Sequence, residues 1–567
     1  MIEIPAFKPA NELSVLIIDD QALVHDIVKT ALLDVGIDRV KTAENAFFAL
    51  RLCQSQKFDI IMVAFNVNSD KDGFSLLEEM KFKGFITKTT SVVFLSADTD
   101  PSLVNCVVEL QPSDFWVKPL DRLKVEKRLN HILAVKQQLY RLHYCIDKKE
   151  YPSAIYIAQR QLKLELMAPY YPHINRLIGE CFLHLLEYEE AETFYLQLAE
   201  KYKYGWVSIG LLRAVLKQKK YNQSKDLIRV LSQREDTRFA VYDLLAQFHI
   251  EEEDYELAYE EIKKASKLAP RNIERNRKLC ELARLNHDRE GQYLSAQNMA
   301  KYAKNTIHNS PELMLNVIRC GIDLATTLAN SDSMAMVKRS EVQMQRLEAE
   351  FGQNGQLKEQ LDIVKVRIHN VRNEKKQADE ILKPYLESQS KVSIDDNLDK
   401  VKAFHELGYR EESLSLLDKI KGQISGDSFS SKVLVQYIEQ EAVERSEIHF
   451  TSKELNEMAA EHYKHKRMLP ALTALTNAFQ LAPESLQIAM SALKVLSVLM
   501  ERHEYLEVSQ LEFARRCTNL LDSKPLVQEQ SEKLKHYKDV LGLSAQADEE
   551  APFQEDGGLE LNSSIQW

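Results

Sequence analysis

Three short apolar runs near the N-terminus each end in polar side chains, and this pattern constrains the fold more than any other feature of the chain. Residues 13–20 read LSVLIIDD, residues 92–97 read VVFLSA and residues 114–119 read DFWVKP. Apolar runs of this length are typical of strands buried on both faces of a parallel sheet. The carboxyl ends of such strands meet at one edge, where ligands bind. The sequence therefore predicts an N-terminal α/β domain with a doubly wound sheet.

The polar residues that end these runs are suited to hold Mg2+ and a phosphoryl group. Asp19 and Asp20 offer the hard oxygen ligands that the ion prefers. Ser96 and Lys118 offer a hydroxyl and an ammonium group that can meet the phosphoryl oxygens. We therefore expect a candidate phosphoryl site at the edge of the sheet where these runs end.

These residues resemble the receiver domain of two-component response regulators over roughly residues 12–135. The matching positions are the acid pair, the Thr/Ser-Ala pair, the switch aromatic and the Lys-Pro pair of that family, here Asp19-Asp20, Ser96-Ala97, Phe115 and Lys118-Pro119. The resemblance implies a flavodoxin-like fold. It also implies that a histidine kinase or a phosphotransfer protein is a partner of this domain.

One position departs from the receiver pattern. Receivers carry their nucleophilic aspartate five residues after an earlier aspartate, and five residues after Asp59 this chain has Ala64. Counting back from the Asp72-Gly73 pair gives Phe65 instead, so neither alignment supplies a carboxylate. A methyl group cannot attack phosphorus, and its presence removes one of three metal-binding carboxylates. We therefore predict a pseudo-receiver that requires no cofactor and binds Mg2+ weakly or not at all.

Two aspartates in the following loop are candidate surrogate acceptors. Asp70 and Asp72 lie in the NVNSDKDG segment. A loop rich in Asn, Ser, Asp and Gly is more often a solvated turn, which is the alternative interpretation of these residues. The two interpretations differ in whether the protein takes up a phosphoryl group at all.

Composition bounds the rest of the chain. With 567 residues it is long enough for three or more domains, and its net charge of -11 argues against nucleic acid as a partner. No apolar run approaches the roughly 18–20 residues of a membrane span, and the N-terminus lacks the features of a signal peptide. We therefore expect a cytoplasmic protein that does not insert into a membrane.

From about Lys148 onward the strand-like runs give way to helical periodicity, and one spacing of small residues occurs twice. It places an alanine, an aliphatic residue, a second alanine and a proline at Ala258, Ile262, Ala265 and Pro270, and again at Ala471, Leu475, Ala478 and Pro483. Small residues at these intervals lie on one helix face where a neighbouring helix approaches closely. The pattern resembles the second helix of a tetratricopeptide repeat. Tyrosines at 188, 221 and 255 recur with the matching period of about 34 residues.

Stacked repeats of this kind form a superhelix with a concave surface that binds peptides or partner helices. The alternative is a nonrepeating helical bundle, and it weighs most for the weaker units near 280–311 and 401–420. Between the two repeat regions, apolar residues from Leu357 to Val371 alternate by four and three. That seam is short for a coiled coil, so a long helical hairpin is favoured over a dimer contact.

The predicted domain order follows from these segments. It is an N-terminal extension (1–11), a receiver-like domain (12–135), repeats (136–330), a helical hairpin or connector (331–395), a second repeat region (396–543) and an acidic tail (544–567). The tail carries six acidic and no basic residues, so we expect it to be disordered or to fold against a partner.

Common enzyme signatures are missing: there is no phosphate-binding P-loop, no HExxH helix and no GxSxG elbow. We therefore expect a protein that is not an enzyme. The sequence favours a signalling adaptor with a receiver that lacks its acceptor and a repeat scaffold that binds an effector. Two alternatives stay open: a response regulator that uses a surrogate aspartate, and a scaffold whose receiver is purely structural.

Overall fold

The structure is a computed structural model, and it describes residues 4–67, 71–98, 100–304, 306, 308–328, 330–351, 357–386, 393–426, 428–447, 450, 452–483, 485–503 and 506–543. Internal contacts divide the chain into two compact units. The first contains the described residues up to 276 together with 301–309. The second contains residues 277–300 and the described residues from 310 onward.

The N-terminal part of the first unit is a five-stranded parallel sheet in the order β2-β1-β3-β4-β5. Its strands are β1 (Ser14–Ile18), β2 (Arg39–Ala43), β3 (Ile60–Ala64), β4 (Ser91–Ser96) and β5 (Asp114–Val117). Every residue of β3 and β4 is buried, as expected for strands covered on both faces. The predicted α/β domain is therefore confirmed.

Five helices follow these strands: α1 (Ala22–Asp34), α2 (Ala46–Ser55), α3 (Gly73–Phe82), α4 (Pro101–Glu109) and α5 (Arg122–Asp147). Polar side chains at the helix starts accept backbone N–H groups and fix where four of them begin; these residues are Asn45, Asp72, Asp100 and Asp121. The last helix is 26 residues long and runs without a break through the predicted domain boundary at residue 135.

The remainder of the described chain is helical, which confirms the predicted change of fold class. Its first eleven helices are α6 (Tyr151–Gln161), α7 (Tyr171–His184), α8 (Tyr188–Lys201), α9 (Gly205–Lys217), α10 (Tyr221–Gln233), α11 (Arg238–Glu251), α12 (Tyr255–Leu268), α13 (Ile273–Leu285), α14 (Arg289–Ala303), α15 (Pro311–Ala325) and α16 (Asn330–Phe351). The other ten are α17 (Lys358–Val371), α18 (Lys375–Leu382), α19 (Ile394–Glu406), α20 (Arg410–Gln423), α21 (Phe429–Glu447), α22 (Ser452–Lys464), α23 (Met468–Leu481), α24 (Leu486–His503), α25 (Val508–Asp522) and α26 (Gln528–Leu541).

One turn geometry recurs between these helices. A residue with positive φ stands two positions before the next helix at Lys149, Leu186, Lys219, Glu253, His287, Asn373, Gly408 and Lys466. Only one of these eight residues is glycine. The other seven have a positive φ that L-residues rarely adopt, so packing of the flanking helices must hold them in that conformation. The recurrence indicates a series of helical hairpins built on one plan.

The helix after each of these turns buries its fourth residue. Those residues are Ala154, Ala191, Ser224, Ala258, Gln292, Ala378, Ser413 and Ala471. Nearly all are small, which lets the two helices of a hairpin approach closely. The second alanines of the predicted spacing, Ala265 and Ala478, have no exposed surface either.

The second unit combines apolar clusters with a buried ionic cluster. Arg367 on α17 is the centre of that cluster, and its side chain is only 2% exposed. Its guanidinium lies 2.8 Å from Asp323, 2.7 Å from Asp399 and 3.0 Å from Glu406. The predicted seam residues beside it, from Leu361 to Ile368, pack into an apolar cluster with α15 and α16 of the same unit.

Candidate functional site

The sheet register aligns the residues predicted to form the site. Ile18 pairs with Val63, so the next residues, Asp19 and Ala64, are level with each other on neighbouring strands. Ala64 is fully buried at the end of β3. Of the two positions that the sequence left open for the acceptor, the one level with the acid pair is therefore Ala64, whose side chain is a methyl group.

The backbone at the start of α3 comes very close to the end of β3 at this position. The backbone N–H of Gly73 donates a 2.7 Å hydrogen bond to the carbonyl oxygen of Phe65. A Cβ atom added at Gly73 would lie 1.8 Å from the carbonyl oxygen of Ala64, a distance that no side chain tolerates. Glycine at this position is therefore required by a close backbone approach, which explains the Asp-Gly pair at the start of α3.

Lys118 and Asp19 form the central ion pair of the site. The Lys118 Nζ donates a 3.0 Å hydrogen bond to Asp19 Oδ1 and lies 2.8 Å from Oδ2. Burial raises the pKa of the Asp19 carboxyl, while hydrogen bonds from Lys118 and from the backbone N–H of Gln21 act in the opposite direction. Asp20, in contrast, is exposed to solvent. The ammonium group thus already neutralises the buried member of the acid pair.

Ser96 ends β4 at this edge, whereas Phe115 lies within β5, paired with Phe94 two positions before the end of the strand. The Ser96 hydroxyl donates to the carbonyl oxygen of Asp98 at 2.9 Å and accepts from its backbone N–H at 3.0 Å. Phe115 is partly buried and stacks on Phe94, with ring centroids 5.9 Å apart. The structure therefore brings the predicted hydroxyl, lysine and acid pair to one end of the sheet, and the predicted aromatic lies inside the neighbouring strand.

Of the two candidate surrogate acceptors, Asp72 is held firmly in place. Its Oδ1 accepts the backbone N–H of Ser75 at 2.9 Å and so caps α3. Its Oδ2 lies 2.5 Å from Nη1 of Arg271. Both carboxylate oxygens are engaged, which lowers their availability to a phosphodonor. The other candidate, Asp70, lies outside the described residues.

The ion site that the resemblance implies fits these residues poorly. Mg2+ prefers several oxygen ligands in near-octahedral geometry and sheds its water reluctantly. Here one carboxylate is paired with Lys118, the second is exposed, and Ala64 supplies no ligand. In the part of the chain that the structure describes, no three His, Cys, Asp or Glu residues are grouped for metal binding.

Two arginines of the helical part contact the receiver-like sheet domain, a contact that no sequence pattern predicts. Arg271 contacts Asp72, and Arg275 lies 2.5 Å from Glu109 on α4. Both follow Pro270, the last position of the predicted alanine spacing. No motif marks a contact between residues 199 positions apart.

Among the residues that the structure describes, none of the helices is both long and apolar enough to cross a lipid bilayer.

Comparison with known proteins agrees with this geometry. Residues 15–130 match the response regulator receiver domain. The chemotaxis protein CheY of Bacillus subtilis is 27% identical over 119 residues, which are 21% of this chain and 96% of that protein. Two solved structures are each 25% identical over 21% of this chain. They are the chemotaxis response regulator CheY4 of Vibrio cholerae (98% of its chain, TM-score 0.20) and the Francisella response regulator 1452 receiver domain (96%, TM-score 0.19). Residues 15–130 are thus a response regulator receiver domain of two-component signalling, and a long helical region follows it.

Proposed function

We propose that this protein is an adaptor of two-component signalling. Its receiver domain is degenerate and docks a histidine kinase or a phosphotransfer protein without taking up the phosphoryl group. Its helical region is a scaffold of tetratricopeptide type that binds an effector protein. In this function the protein is not an enzyme; it modulates how much phosphoryl group reaches another regulator.

The observation that carries the proposal is the methyl group of Ala64, which is level with Asp19, while Lys118 already pairs with that aspartate. Phosphorylation of a receiver needs a carboxylate nucleophile and a metal ion to balance the charge that develops on the phosphoryl oxygens. Ala64 supplies no nucleophile, and the remaining residues are poor ligands for the ion.

Exposed apolar side chains beside the site support a docking function. Receiver domains generally interact with kinases or phosphotransfer proteins. At the edge of the sheet that carries Asp19, Leu23 lies in the first turn of α1 with 70% of its surface exposed, and Leu123 lies in the first turn of α5 with 74% exposed. Large apolar residues exposed in this way favour contact with an apolar face of another protein.

The repeated hairpins support the scaffold function. Their common turn and their buried small residues fit the repeat spacing that the sequence predicts. The second unit also contains a cavity of about 260 Å³ whose lining includes the polar side chains of Arg289, Asn370, Lys402 and Glu444. Such a surface is suited to a polar or charged segment of a partner protein.

Chemical phosphorylation tests the degenerate receiver. The protein is incubated with acetyl phosphate and Mg2+ and analysed by intact mass and peptide mapping. We expect no hydroxylamine-sensitive adduct in the wild type and a new adduct in Ala64→Asp, because that change restores a carboxylate level with Asp19. An adduct on Asp70 or Asp72 of the wild type would instead establish the second candidate, a regulator with a surrogate acceptor.

Affinity capture tests docking. The full-length protein is compared with Leu23→Glu and with Leu33→Glu, a matched change at the other end of α1, where the side chain is 60% exposed. We expect a histidine kinase or a phosphotransfer protein on the wild type and on Leu33→Glu but not on Leu23→Glu. Equal retention of such a protein by all three proteins would show that docking does not use Leu23, and retention by none of them would leave the receiver with a purely structural role.

A further inference from the structure

The receiver's α4 helix is covered by a segment of the helical region within the first unit. Residues 268–276, here called the 268–276 corner, connect α12 to α13 and include the first turn of α13. Ala269 in this corner is fully buried and belongs to the same apolar cluster as the sheet. The Asn105 side chain of α4 donates a hydrogen bond to the carbonyl oxygen of Leu268 at 3.3 Å.

Arg275 binds the corner to α4. Its side chain is 6% exposed, and its guanidinium lies 2.5 Å from Glu109 on α4 and 3.0 Å from Asp243 on α11. It also donates a 3.1 Å hydrogen bond to the carbonyl oxygen of Ala269 and lies over the ring of Phe239 at 4.7 Å. One side chain therefore fixes the turn itself and ties it to the receiver.

Arg271 connects the 268–276 corner to the loop that follows β3, next to Ala64. Its guanidinium lies over the rings of Phe65 and Tyr302, at 5.0 and 5.2 Å, and pairs with Asp72 at 2.5 Å. Phe65 directly follows Ala64, and Asp72 directly precedes α3. Arg271 thus contacts both ends of the loop that connects β3 to α3.

The charges on the two sides of this contact are complementary. Burial raises the pKa of the Glu109 carboxyl, and burial together with nearby Glu109 and Asp72 raises that of Glu78. The receiver therefore presents a crowded acidic surface here, and the two arginines of the corner neutralise part of it. If the corner moved away, these carboxylates would lose their strongest counter-charges.

We propose that the 268–276 corner is a reversible latch on the receiver: it closes over α4 and couples the two ends of the β3–α3 loop, at Phe65 and Asp72, to the helical region. Arg271 transmits the coupling because it contacts both ends of that loop. The latch combines the buried Ala269 with ion pairs and ring contacts. Of its two arginines, Arg275 is 6% exposed, whereas Arg271 and its partner Asp72 are 23% and 29% exposed. Contacts of this polar kind are typical of domain interfaces that open and close. The latch does not depend on the identity of any partner.

A pair of cysteines in the receiver provides the test. Cys106 on α4 is fully buried, and the backbone N–H of Arg271 donates to its sulfur. Cys53 on α2 is also buried, but it has no such contact with the corner among the described residues. Burial raises the pKa of both thiols to about 11, so both are poor nucleophiles while they stay buried. Only opening of the latch should expose Cys106 selectively.

The full-length protein is treated with N-ethylmaleimide under native conditions, and labelling of each cysteine is followed by peptide mass spectrometry. The key variant is Asp72→Asn, because asparagine caps a helix as well as aspartate does but removes the charge that pairs with Arg271. Arg271→Ala removes the other partner. Arg122→Ala serves as the control, because it removes an arginine–aspartate pair, with Asp34, that does not involve the corner.

We expect Asp72→Asn and Arg271→Ala each to raise the Cys106 labelling rate by about tenfold, with Cys53 unchanged, since couplings between sites are commonly of that size. The double variant should be no faster than the faster single variant, because both changes break one contact. Arg122→Ala should label like the wild type. Unchanged Cys106 labelling in Asp72→Asn, or a parallel rise at Cys53, would overturn the latch.

Discussion

At the scale of single residues, the chemistry of the receiver site depends on the side chain at position 64, which is level with Asp19 on the neighbouring strand. A buried carboxylate needs a counter-charge, and here Lys118 provides it at 2.8 and 3.0 Å. In a site with a third carboxylate, a metal ion and the lysine would have separate partners. With Ala64 in that place, the lysine and the metal must compete for the same aspartate.

This competition predicts that the wild-type site binds Mg2+ poorly. Titration with Mg2+ can be followed through the fluorescence of Trp116, which is buried in β5 two residues before Lys118. We expect no saturable change below about 1 mM in the wild type, because fewer hard ligands surround an ion that sheds water reluctantly. Ala64→Asp should bring saturation into that range.

The matched control for this titration is Ala64→Asn, which has nearly the same volume as the aspartate variant and no charge. It should stay close to the wild type if charge, rather than the shape of the new side chain, creates the ion site. Tight Mg2+ binding by the wild-type protein would show that Asp19 and Asp20 suffice as ligands and would remove one support for the degenerate receiver.

The residues at the site edge were predictable because each follows its own strand directly in the sequence. The acid pair, Ser96 and Lys118 all end apolar runs, so their common location follows from the sheet alone. The direction of the Ser96 hydroxyl was not predictable, because the local hydrogen bonds to Asp98 set it. The contact of Arg271 was equally hidden, since only the packed fold brings it to Asp72.

At the scale of elements, the helices of the second unit hold together partly through buried charges. The Arg367 guanidinium on α17 meets carboxylates from α15 and α19, so one side chain joins three helices. Burying a charge is costly, and such a pair is weak evidence of net stabilisation. Removing the arginine alone, in contrast, is destabilising, because the three carboxylates then remain buried without the counter-charge of Arg367.

Arg367→Met should therefore destabilise this part of the protein by about 3–5 kcal/mol. The control is Arg372→Met at the end of the same helix, where the arginine pairs with Glu341 and its side chain is 29% exposed; this change should cost about 1 kcal/mol or less. Hydrogen exchange of α15, α17 and α19 is the suitable measurement, because a chain with several units does not unfold in one step. Equal protection in both variants would contradict a central role for Arg367.

The alanine spacing makes a separate prediction for the hairpins. Ala265 and Ala478 are fully buried, so Ala265→Leu or Ala478→Leu should force neighbouring helices apart and cost about 1–3 kcal/mol each. The loss of protection should extend to the adjacent helices, since each repeat contacts its neighbours. Ala460→Leu, at an exposed position of α22, is the control and should change the unfolding free energy by less than about 0.5 kcal/mol. If the two buried alanines behave like Ala460, the repeat spacing assigned here is wrong.

At the scale of the whole molecule, the sequence located the change from sheet to helices but not the way the two are joined. The strand runs end and helical periodicity begins near residue 148, and that much follows from local patterns. The structure shows that α5 packs both against the sheet and against the helices that follow it. Its first half packs on the sheet through Leu129, and its second half packs on α6 and α7 through Leu139 and Leu142. A periodicity analysis cannot detect this, because a long amphipathic helix has the same pattern wherever it packs.

The double role of α5 determines where the helical region can be cut from the receiver. A truncated protein of residues 136–543 keeps the part of α5 that fills the core beside Ile174 and Ile178, whereas residues 148–543 leave that core open. We expect both fragments to be helical, because a solenoid is stabilised by contacts between neighbouring repeats and does not need the receiver. Only the longer fragment should protect α6 and α7 in hydrogen exchange, while α22 and α23 should be protected equally in both. Equal protection of α6 and α7 in the two fragments would show that α5 belongs to the receiver alone, and unfolding of both would remove the structural basis of an independent scaffold.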